Sequence, residues 1–159
     1  NYLSVNGGIV SSRQGVKVWT EILIPDEVED ILVLPGGHTA NKLLRLEPNK
    51  LKIIKAAAQE ADICMMIANG SSVLAQTGLL YHRHIADYPG EENWKRMFTA
   101  EIRREQNVKW ISDGKYYSSS STMAGFDMAL GVISDMVDIE LAIHIANELG
   151  YEWNQEMMF

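Results

Sequence analysis

The chain has 159 residues, of which 47% are hydrophobic and 22% charged, and its formal net charge is −7. This length predicts one domain with a buried core, and the acidic balance excludes a broad nucleic-acid or anionic-membrane surface, because such surfaces need clustered Lys and Arg. No apolar run reaches the roughly 18 residues of a membrane span, so we expect neither a membrane nor a nucleic acid as partner.

The first forty residues predict strands separated by turns. The segment "NYLSVNGGIVSS" predicts a hairpin that turns at Asn6-Gly7-Gly8, because Asn-Gly between apolar runs is a strong hairpin signal. The segment "VKVWTEILI" predicts a further strand that ends at Pro25. Residues 31–34 form an apolar run without polar alternation, which predicts a strand covered on both faces in a parallel sheet.

The middle of the chain predicts a helix, a strand and a second helix. Residues 47–61 carry Pro48 in the first turn and apolar residues at helical spacing, which predicts the first helix. The run "DICMMI" at residues 62–67 predicts a second buried strand, and "SSVLAQTGLL" at 71–80 predicts a second helix that ends near Gly78.

The last third predicts a helix, a hairpin and two further helices. We expect a helix with solvated charges over residues 92–105, and a hairpin in "VKWISDGKYYSSS" that turns at Asp113-Gly114. Two final helices over 125–137 and 139–150 are split near Asp138. Strands that alternate with helices predict a mainly parallel sheet with helices on both faces, and ligands bind beyond the carboxyl ends of such strands. The loops "PGGH" at 35–38 and "ANGS" at 68–71 lie at that edge.

The turn in "MMIANGSS" has the pattern of a strand-to-helix turn that carries a nucleophile. Such a turn holds its apex residue in a strained conformation, and the backbone amides that follow it favour negative charge. This combination serves acyl-transfer chemistry. The apex, however, is Ala68, which has no reactive side chain. From these residues alone, two interpretations stay open: a compact connection, or an active-site turn without its nucleophile.

Four segments, taken in order, resemble the ThiJ/PfpI family of the class I glutamine amidotransferase-like superfamily. They are "ILVLPGG", "ICMMIANGSSVLAQTGLL", "IADYPG" and "DGKYYSSSSTMAGFDMAL". The resemblance spans essentially the whole chain and implies an α/β fold, a flavodoxin-like three-layer sandwich, as a single domain over residues 1–159. The family's first strand and helix have no counterpart here, so the resemblance also implies that a separate N-terminal segment or a partner subunit completes the sheet.

The resemblance also implies roles for individual residues. The family carries a Cys at the apex of this turn, so the nucleophile position is Ala68, and Tyr88 occupies the position of a family His or Tyr. The expected oxyanion or ligand-binding positions are Gly36, Gly37, His38, Asn69 and Gly70. Cys64 lies four residues before the apex, inside the strand, where a buried structural thiol is expected.

Several other polar residues have interpretations from the sequence alone. His38 is either a ligand-binding group or a solvated loop residue, and Asp87 either lines the pocket or lies on the surface. Ser71 is expected to cap the helix that follows it, and Asp127 is expected to be structural. One Cys and four scattered His residues predict no metal site, and we expect no cofactor.

Two functional hypotheses follow. The first is a ThiJ/PfpI-type cysteine-dependent hydrolase or hydratase acting on an isonitrile, aldehyde or acyl carbon, whose thiol at position 68 has been engineered away or lost. The second is a non-catalytic domain that binds or senses a small molecule. The resemblance makes a homodimer possible, and the single Cys, which excludes an intramolecular disulfide, fits a cytoplasmic location.

Overall fold

The computed structural model describes residues 1–28, 30–38, 40, 47–98 and 101–155. In chain order its strands are β1 (Leu3–Ser4), β2 (Gly8–Ser11), β3 (Lys17–Ile22), β4 (Ile31–Leu34), β5 (Ile63–Met66), β6 (His84–Ala86), β7 (Arg103–Glu105), β8 (Trp110–Asp113) and β9 (Tyr116–Ser119). Its α-helices are α1 (Pro48–Glu60), α2 (Ser71–Ala75), α3 (Glu92–Lys95), α4 (Ala124–Met136) and α5 (Ile139–Glu148). Within these ranges no helix combines the length and the apolar character that a membrane crossing requires.

The central sheet has the strand order β4-β5-β9-β8. Strands β4, β5 and β9 run parallel, and β8 pairs with β9 in the antiparallel hairpin predicted at Asp113-Gly114. Side chains of β5 alternate between the two faces of the sheet: Cys64 and Met66 pack with α1 and α2, whereas Ile63 and Met65 pack with α4. The protein is therefore an α/β sandwich of three layers with a flavodoxin-like, mainly parallel sheet, as predicted.

Strand β4 is covered on one face only. Leu32 is buried on the side of α1, but Ile31 and Val33 are 39% and 46% exposed. The prediction of a strand covered on both faces is therefore wrong at β4. Helix α4 does not cover β4, because the apolar cluster around this helix includes residues of β5, β8 and β9 but none of β4.

The first three strands form a separate sheet with the order β1-β3-β2. The predicted hairpin at Asn6-Gly7-Gly8 is wrong, because β1 runs parallel to β3 and it is β2 that forms the antiparallel hairpin with β3. Gly7, at a φ of +65°, lies against Ile22 of β3, where a Cβ would come within 2.8 Å of the Ile22 side chain. The strands β1 and β2, which this turn connects, thus lie on opposite edges of β3.

The predicted helix over residues 92–105 is also wrong in its second half. Helix α3 continues as a 3-10 turn over Arg96–Phe98, and Arg103–Glu105 then forms β7, parallel to β6. Ile102 is buried in the core with Ile85. Pairing with β6 and burial of Ile102 thus override a sequence pattern that also fits a helix. Helix α2 is likewise shorter than predicted, since it ends at Ala75.

The final two helices agree with the sequence prediction. Asp138 separates α4 from α5, and its Oδ1 accepts a hydrogen bond of 2.7 Å from the Leu141 backbone N–H. This contact satisfies a free amide in the first turn of α5. Helix α5 packs on α4 through Leu130, Ala142 and Ala146, on the side away from the sheet.

Candidate functional site

The turn after β5 holds its apex residue in a left-handed backbone conformation. Ala68 has a φ of +49° and begins a 3-10 turn that leads into α2. Its N–H donates a hydrogen bond of 3.2 Å to Ser119 Oγ on the neighbouring strand β9, and the residue is half-buried. A residue with a Cβ pays on the order of 1 kcal/mol for this conformation. The strained apex is the geometry that the sequence pattern predicts for a nucleophile-bearing turn.

The loop after β4 and the turn after β5 are joined through the side chain of Asn69. Asn69 Oδ1 accepts a hydrogen bond of 2.8 Å from Gly37 N, and Asn69 Nδ2 donates one of 3.0 Å to Gly37 O. The structure therefore brings together two segments that the sequence places at the same edge of the sheet.

Two glycines allow this close approach. A Cβ at Gly70 would lie 2.2 Å from Leu34 O, and one at Gly36 would lie 2.6 Å from Ile67 O. Both contacts are to backbone atoms, which cannot move aside without shifting the strand ends. Gly36 and Gly70 thus have a structural function whatever their part in binding.

Some of the amides predicted to bind an oxyanion have partners within the protein. The Gly37 N–H donates to Asn69, and the Gly70 N–H donates a hydrogen bond of 2.8 Å to Ile67 O. A ligand would have to displace the Asn69 side chain to reach the Gly37 amide. His38 is exposed on the same loop and does not line the cleft described next.

A cleft of about 260 Å³ opens beside the apex. It is lined by Ala68, Asn69, Tyr88, Pro89, Glu91, Ser120, Ser121 and Thr122. Ala68 and Tyr88, both predicted from the sequence, therefore lie in one cleft. Glu91 and residues 120–122 were not predicted from the sequence, in which the available signals are the Pro-Gly turn just before Glu91 and the serine run just before α4. A second cleft of about 330 Å³, between the end of β1 and the start of α1, shares none of these residues.

Tyr88 forms a fixed wall of the cleft. Its side chain is buried, and its hydroxyl lies 2.6 Å from Ser72 Oγ, where either oxygen can be the donor. Burial raises the pKa of the phenol, while the Ser72 hydrogen bond and two nearby cations oppose that rise. The hydroxyl is therefore neutral near pH 7 and is held against α2.

The two cations beside Tyr88 belong to a buried cluster of charges. Lys95 is 2% exposed, and its Nζ lies 4.5 Å from the centre of the Tyr88 ring. It pairs with Asp87 Oδ1 at 2.9 Å and Glu92 Oε1 at 3.3 Å, and it also donates to Tyr88 O. The guanidinium of Arg104 lies 6.0 Å from the same ring. The prediction that Lys95 lies in solvent is wrong, because these partners compensate for its burial.

Cys64 is the buried structural thiol that the sequence predicts. Its side chain is fully buried, and Sγ donates to Ala58 O at 3.4 Å. Burial raises the pKa of this thiol to about 11. It cannot act as the nucleophile of the cleft, because the thiolate is the reactive form and is scarce near pH 7.

Two remaining polar groups have structural contacts. Asp127 is buried, and its Oδ1 accepts from Asn154 N at 2.9 Å, which agrees with a structural role. The Ser71 hydroxyl donates to Ala68 O at 3.3 Å, so the predicted helix cap is not formed. Across the described parts of the chain, no three His, Cys, Asp or Glu side chains converge as metal ligands.

Comparison with known proteins identifies related chains. The family model of the DJ-1/PfpI family matches residues 1–135. An isonitrile hydratase from Pseudomonas putida is 24% identical over 143 residues, which are 89% of this chain and 61% of that protein. A deglycase from Pyrococcus abyssi is 31% identical over 91 residues, 55% of this chain and 54% of that protein. The chain thus spans less than two thirds of the length of either relative.

A solved structure supports the same fold. A Cys-to-Ala mutant of a DJ-1 superfamily protein from Salmonella typhimurium superposes with a TM-score of 0.72 at 20% identity. The superposition covers 92% of this chain and 80% of the other.

Proposed function

Because the chain belongs to the DJ-1/PfpI family, we propose that the cleft beside Ala68 is the small-molecule site of a hydratase or hydrolase whose nucleophile position holds an alanine. One observation carries the proposal: Ala68 is a left-handed apex residue in a cleft at the carboxyl end of a buried parallel strand. With alanine there, the chain binds its ligand but has no group to attack it.

The chemistry proposed for position 68 is nucleophilic. A thiolate at this apex would add to an electrophilic carbon of an isonitrile, an aldehyde or an acyl group. The isonitrile hydratase among the relatives supports the first of these. Hydration of an isonitrile adds the elements of water and gives an N-substituted formamide.

We propose the Asn69 backbone N–H as the first donor to the negative charge that develops on the substrate. It follows the apex directly and lies at the start of the turn into α2. The Gly37 amide is the second donor, and it becomes available when the Asn69 side chain moves from its present contact. His38, at the exposed end of the same loop, contacts the part of the ligand that extends out of the cleft.

Installing the missing thiol tests this function. We expect Ala68→Cys to convert an alkyl isonitrile to the formamide, measured by proton NMR, whereas the chain with Ala68 shows no turnover. Ala68→Ser is the matched control, because it adds a side chain of similar size with far lower nucleophilicity. If Ala68→Cys turns over no isonitrile, aldehyde or activated ester, the enzyme proposal is wrong.

A second candidate is a non-catalytic domain that binds or senses a small molecule. The observation in its favour is that the cleft and the strained apex are present while the apex carries no nucleophile. In that case the unmodified chain and Ala68→Cys bind the same ligand with equal affinity, measured by calorimetry, and neither converts it.

We propose that a further strand pairs with the outer edge of β4, supplied by a separate segment of chain. β4 is an edge strand of the central sheet, and Ile31 and Val33 leave an apolar surface on its uncovered face. The proposal predicts that Ile31→Lys lowers the affinity for such a segment, measured with a labelled peptide, and that Val10→Lys on β2 does not.

We also propose a homodimer that works in the cytoplasm. The cross-strand pair Ile9 and Trp19 on the β2–β3 hairpin is 62% and 71% exposed, which is an apolar surface suited to a second copy. Trp19→Lys is expected to shift the protein to monomer in analytical ultracentrifugation. An unchanged sedimentation coefficient would reject this interface.

A further inference from the structure

Glu91 is the charged residue of the cleft. Among the described lining residues the others are an alanine, an asparagine, a tyrosine, a proline, two serines and a threonine. Glu91 is exposed, lines the cleft and carries a formal negative charge.

Two cations, Lys95 and Arg104, and two other carboxylates lie next to the cleft. Lys95 pairs with Asp87 and Glu92 beneath the Tyr88 ring. The pKa of Arg104 is lowered chiefly by burial, and the charges of Asp87 and Glu92 oppose that change. Both carboxylates pair with Lys95, and the guanidinium nitrogens of Arg104 have no hydrogen-bond partner among the described residues. The formal charges of these four side chains still sum to zero, so Glu91 adds one negative charge beside the cleft.

The backbone fixes the place of Glu91. Its φ is +61°, the left-handed region, and its carbonyl accepts hydrogen bonds from the N–H groups of Trp94 and Lys95 at 2.9 and 3.0 Å. A glutamate is seldom found in this region, and glycine would adopt it without strain. Ala68 and Glu91 are two of the four non-glycine residues with a positive φ in the described part of the chain, and both line one cleft. Such strain concentrates at functional sites.

We propose that Glu91 sets the charge selectivity of the cleft, so that the site accepts small uncharged or cationic electrophiles and rejects anionic ones. This inference rests on the proposed function, because it assumes that the ligand occupies the cleft beside position 68. An isonitrile is uncharged and fits this class, whereas a carboxylate or phosphate ester does not. Glu91 acts here as a specificity-determining residue through its charge.

The test uses a thiol at position 68 as a reporter and needs no turnover. Ala68→Cys is treated with three methanethiosulfonate reagents of similar size, which carry a trimethylammonium, a sulfonate or a neutral alkyl group. The measured quantity is the ratio of the rate constants for the cationic and the anionic reagent, relative to that ratio for 2-mercaptoethanol. The chain with Ala68 gives the background, because its thiol at Cys64 is buried.

We expect the ratio for Ala68→Cys to exceed that of 2-mercaptoethanol by about tenfold, since a carboxylate several ångströms away attracts one reagent and repels the other. Adding Glu91→Gln should return the ratio to within about twofold of the small thiol, and about 1 M salt should have the same effect on the parent variant. Glu92→Gln is the matched control. It removes the same charge at the next residue along the chain, whose side chain pairs with Lys95.

The inference is overturned if Glu91→Gln leaves the ratio unchanged, or if Glu92→Gln lowers it as much. A thiol at position 68 that reacts with none of the three reagents would overturn it as well, because the cleft would then be closed to ligands. If Ala68→Cys reacts selectively with the cationic reagent but turns over no substrate, this inference stands and the proposed enzymatic function is wrong. The two proposals therefore fail separately.

Discussion

Cys64 and Ala68 lie four residues apart on one strand and its turn, and their surroundings are opposite. Cys64 is fully buried between the sheet and α1, and burial raises the pKa of its thiol to about 11. Ala68 is half-buried beside a cleft, and its backbone is left-handed. The chain thus has a buried, unreactive thiol within the strand and no thiol at the left-handed apex beside the cleft.

The difference shows which features of a reactive site depend on the fold and which on one side chain. The fold supplies the left-handed apex, the cleft and the close approach of the loop after β4. The nucleophile that we propose for position 68 depends on a single side chain. The apex geometry persists without a nucleophile because Gly70 and Asn69 fix the turn through contacts that do not involve the side chain of residue 68.

The largest expected difference between the two positions is in thiol reactivity. At about pH 8 roughly 0.1% of a thiol with the pKa of Cys64 is ionised, against about a tenth of a thiol with the ordinary pKa of 9.0. Iodoacetamide should therefore modify the thiol introduced by Ala68→Cys at least about a hundredfold faster than Cys64, followed by mass spectrometry of the intact protein. Equal rates at the two positions would show that the structural contrast does not exist.

The second prediction concerns the glycine that lets the turn approach β4. Gly70 has an ordinary helical φ of −58°, so Ala is compatible with its backbone, yet a Cβ would lie 2.2 Å from Leu34 O. We expect Gly70→Ala to lower the free energy of unfolding by about 3 kcal/mol, because the contact is with backbone. Urea denaturation measures the change.

Gly125→Ala is the control for that prediction. Gly125 lies in α4, where a Cβ would meet the Ile67 side chain at 3.3 Å, and that side chain can yield. The gain in helix propensity of up to about 1 kcal/mol should then balance the tighter contact. A loss at Gly125 as large as the loss at Gly70 would mean that any added methyl group near β5 is harmful.

The sequence alone predicted the two central strands, the loops that follow them and the burial of Cys64. The uninterrupted apolar runs of β4 and β5, the Asn-Gly turn and the Pro-Gly-Gly break are local signals, and they correctly predict a parallel sheet with two loops at one edge. The burial of Cys64 follows from its place within such a run. These features were predictable because short-range pattern and tertiary environment agree, except at β4, where Ile31 and Val33 are exposed.

The rest depends on contacts between distant segments. Lys95 falls in a stretch whose charges fit a solvated helix, and its burial depends on contacts with Asp87 and Tyr88, which lie before that stretch. The strand β1 pairs with β3, although the Asn6-Gly7-Gly8 turn that follows β1 has the local chemistry of a hairpin with β2. Neither arrangement leaves a periodic signal in the sequence.

The third prediction uses the pKa of Cys64. Its folded pKa of about 11 lies above its ordinary value of 9.0, so burial of the neutral thiol stabilises the fold at pH values below about 9. This contribution is lost as the pH rises through about 11. Between these values we expect the free energy of unfolding of the parent chain to fall by about 2 kcal/mol more than that of Cys64→Ala. Parallel pH profiles would contradict the assigned burial.

The smallest expected effect, and the most specific to the apex, is that of Ala68→Gly. Glycine adopts a φ of +49° without the contact that a Cβ makes, but it also gains more freedom in the unfolded chain. We expect a net stabilisation of about 0.5–1 kcal/mol, measured by urea denaturation. Ala56→Gly, at a half-buried position inside α1, should instead lower the free energy of unfolding by about 1 kcal/mol. Opposite signs at the two positions would show that the apex strain is real and is retained with no reactive side chain to use it. The same sign at both would mean that the turn is an ordinary connection, and the contrast between Cys64 and Ala68 would then reduce to burial alone.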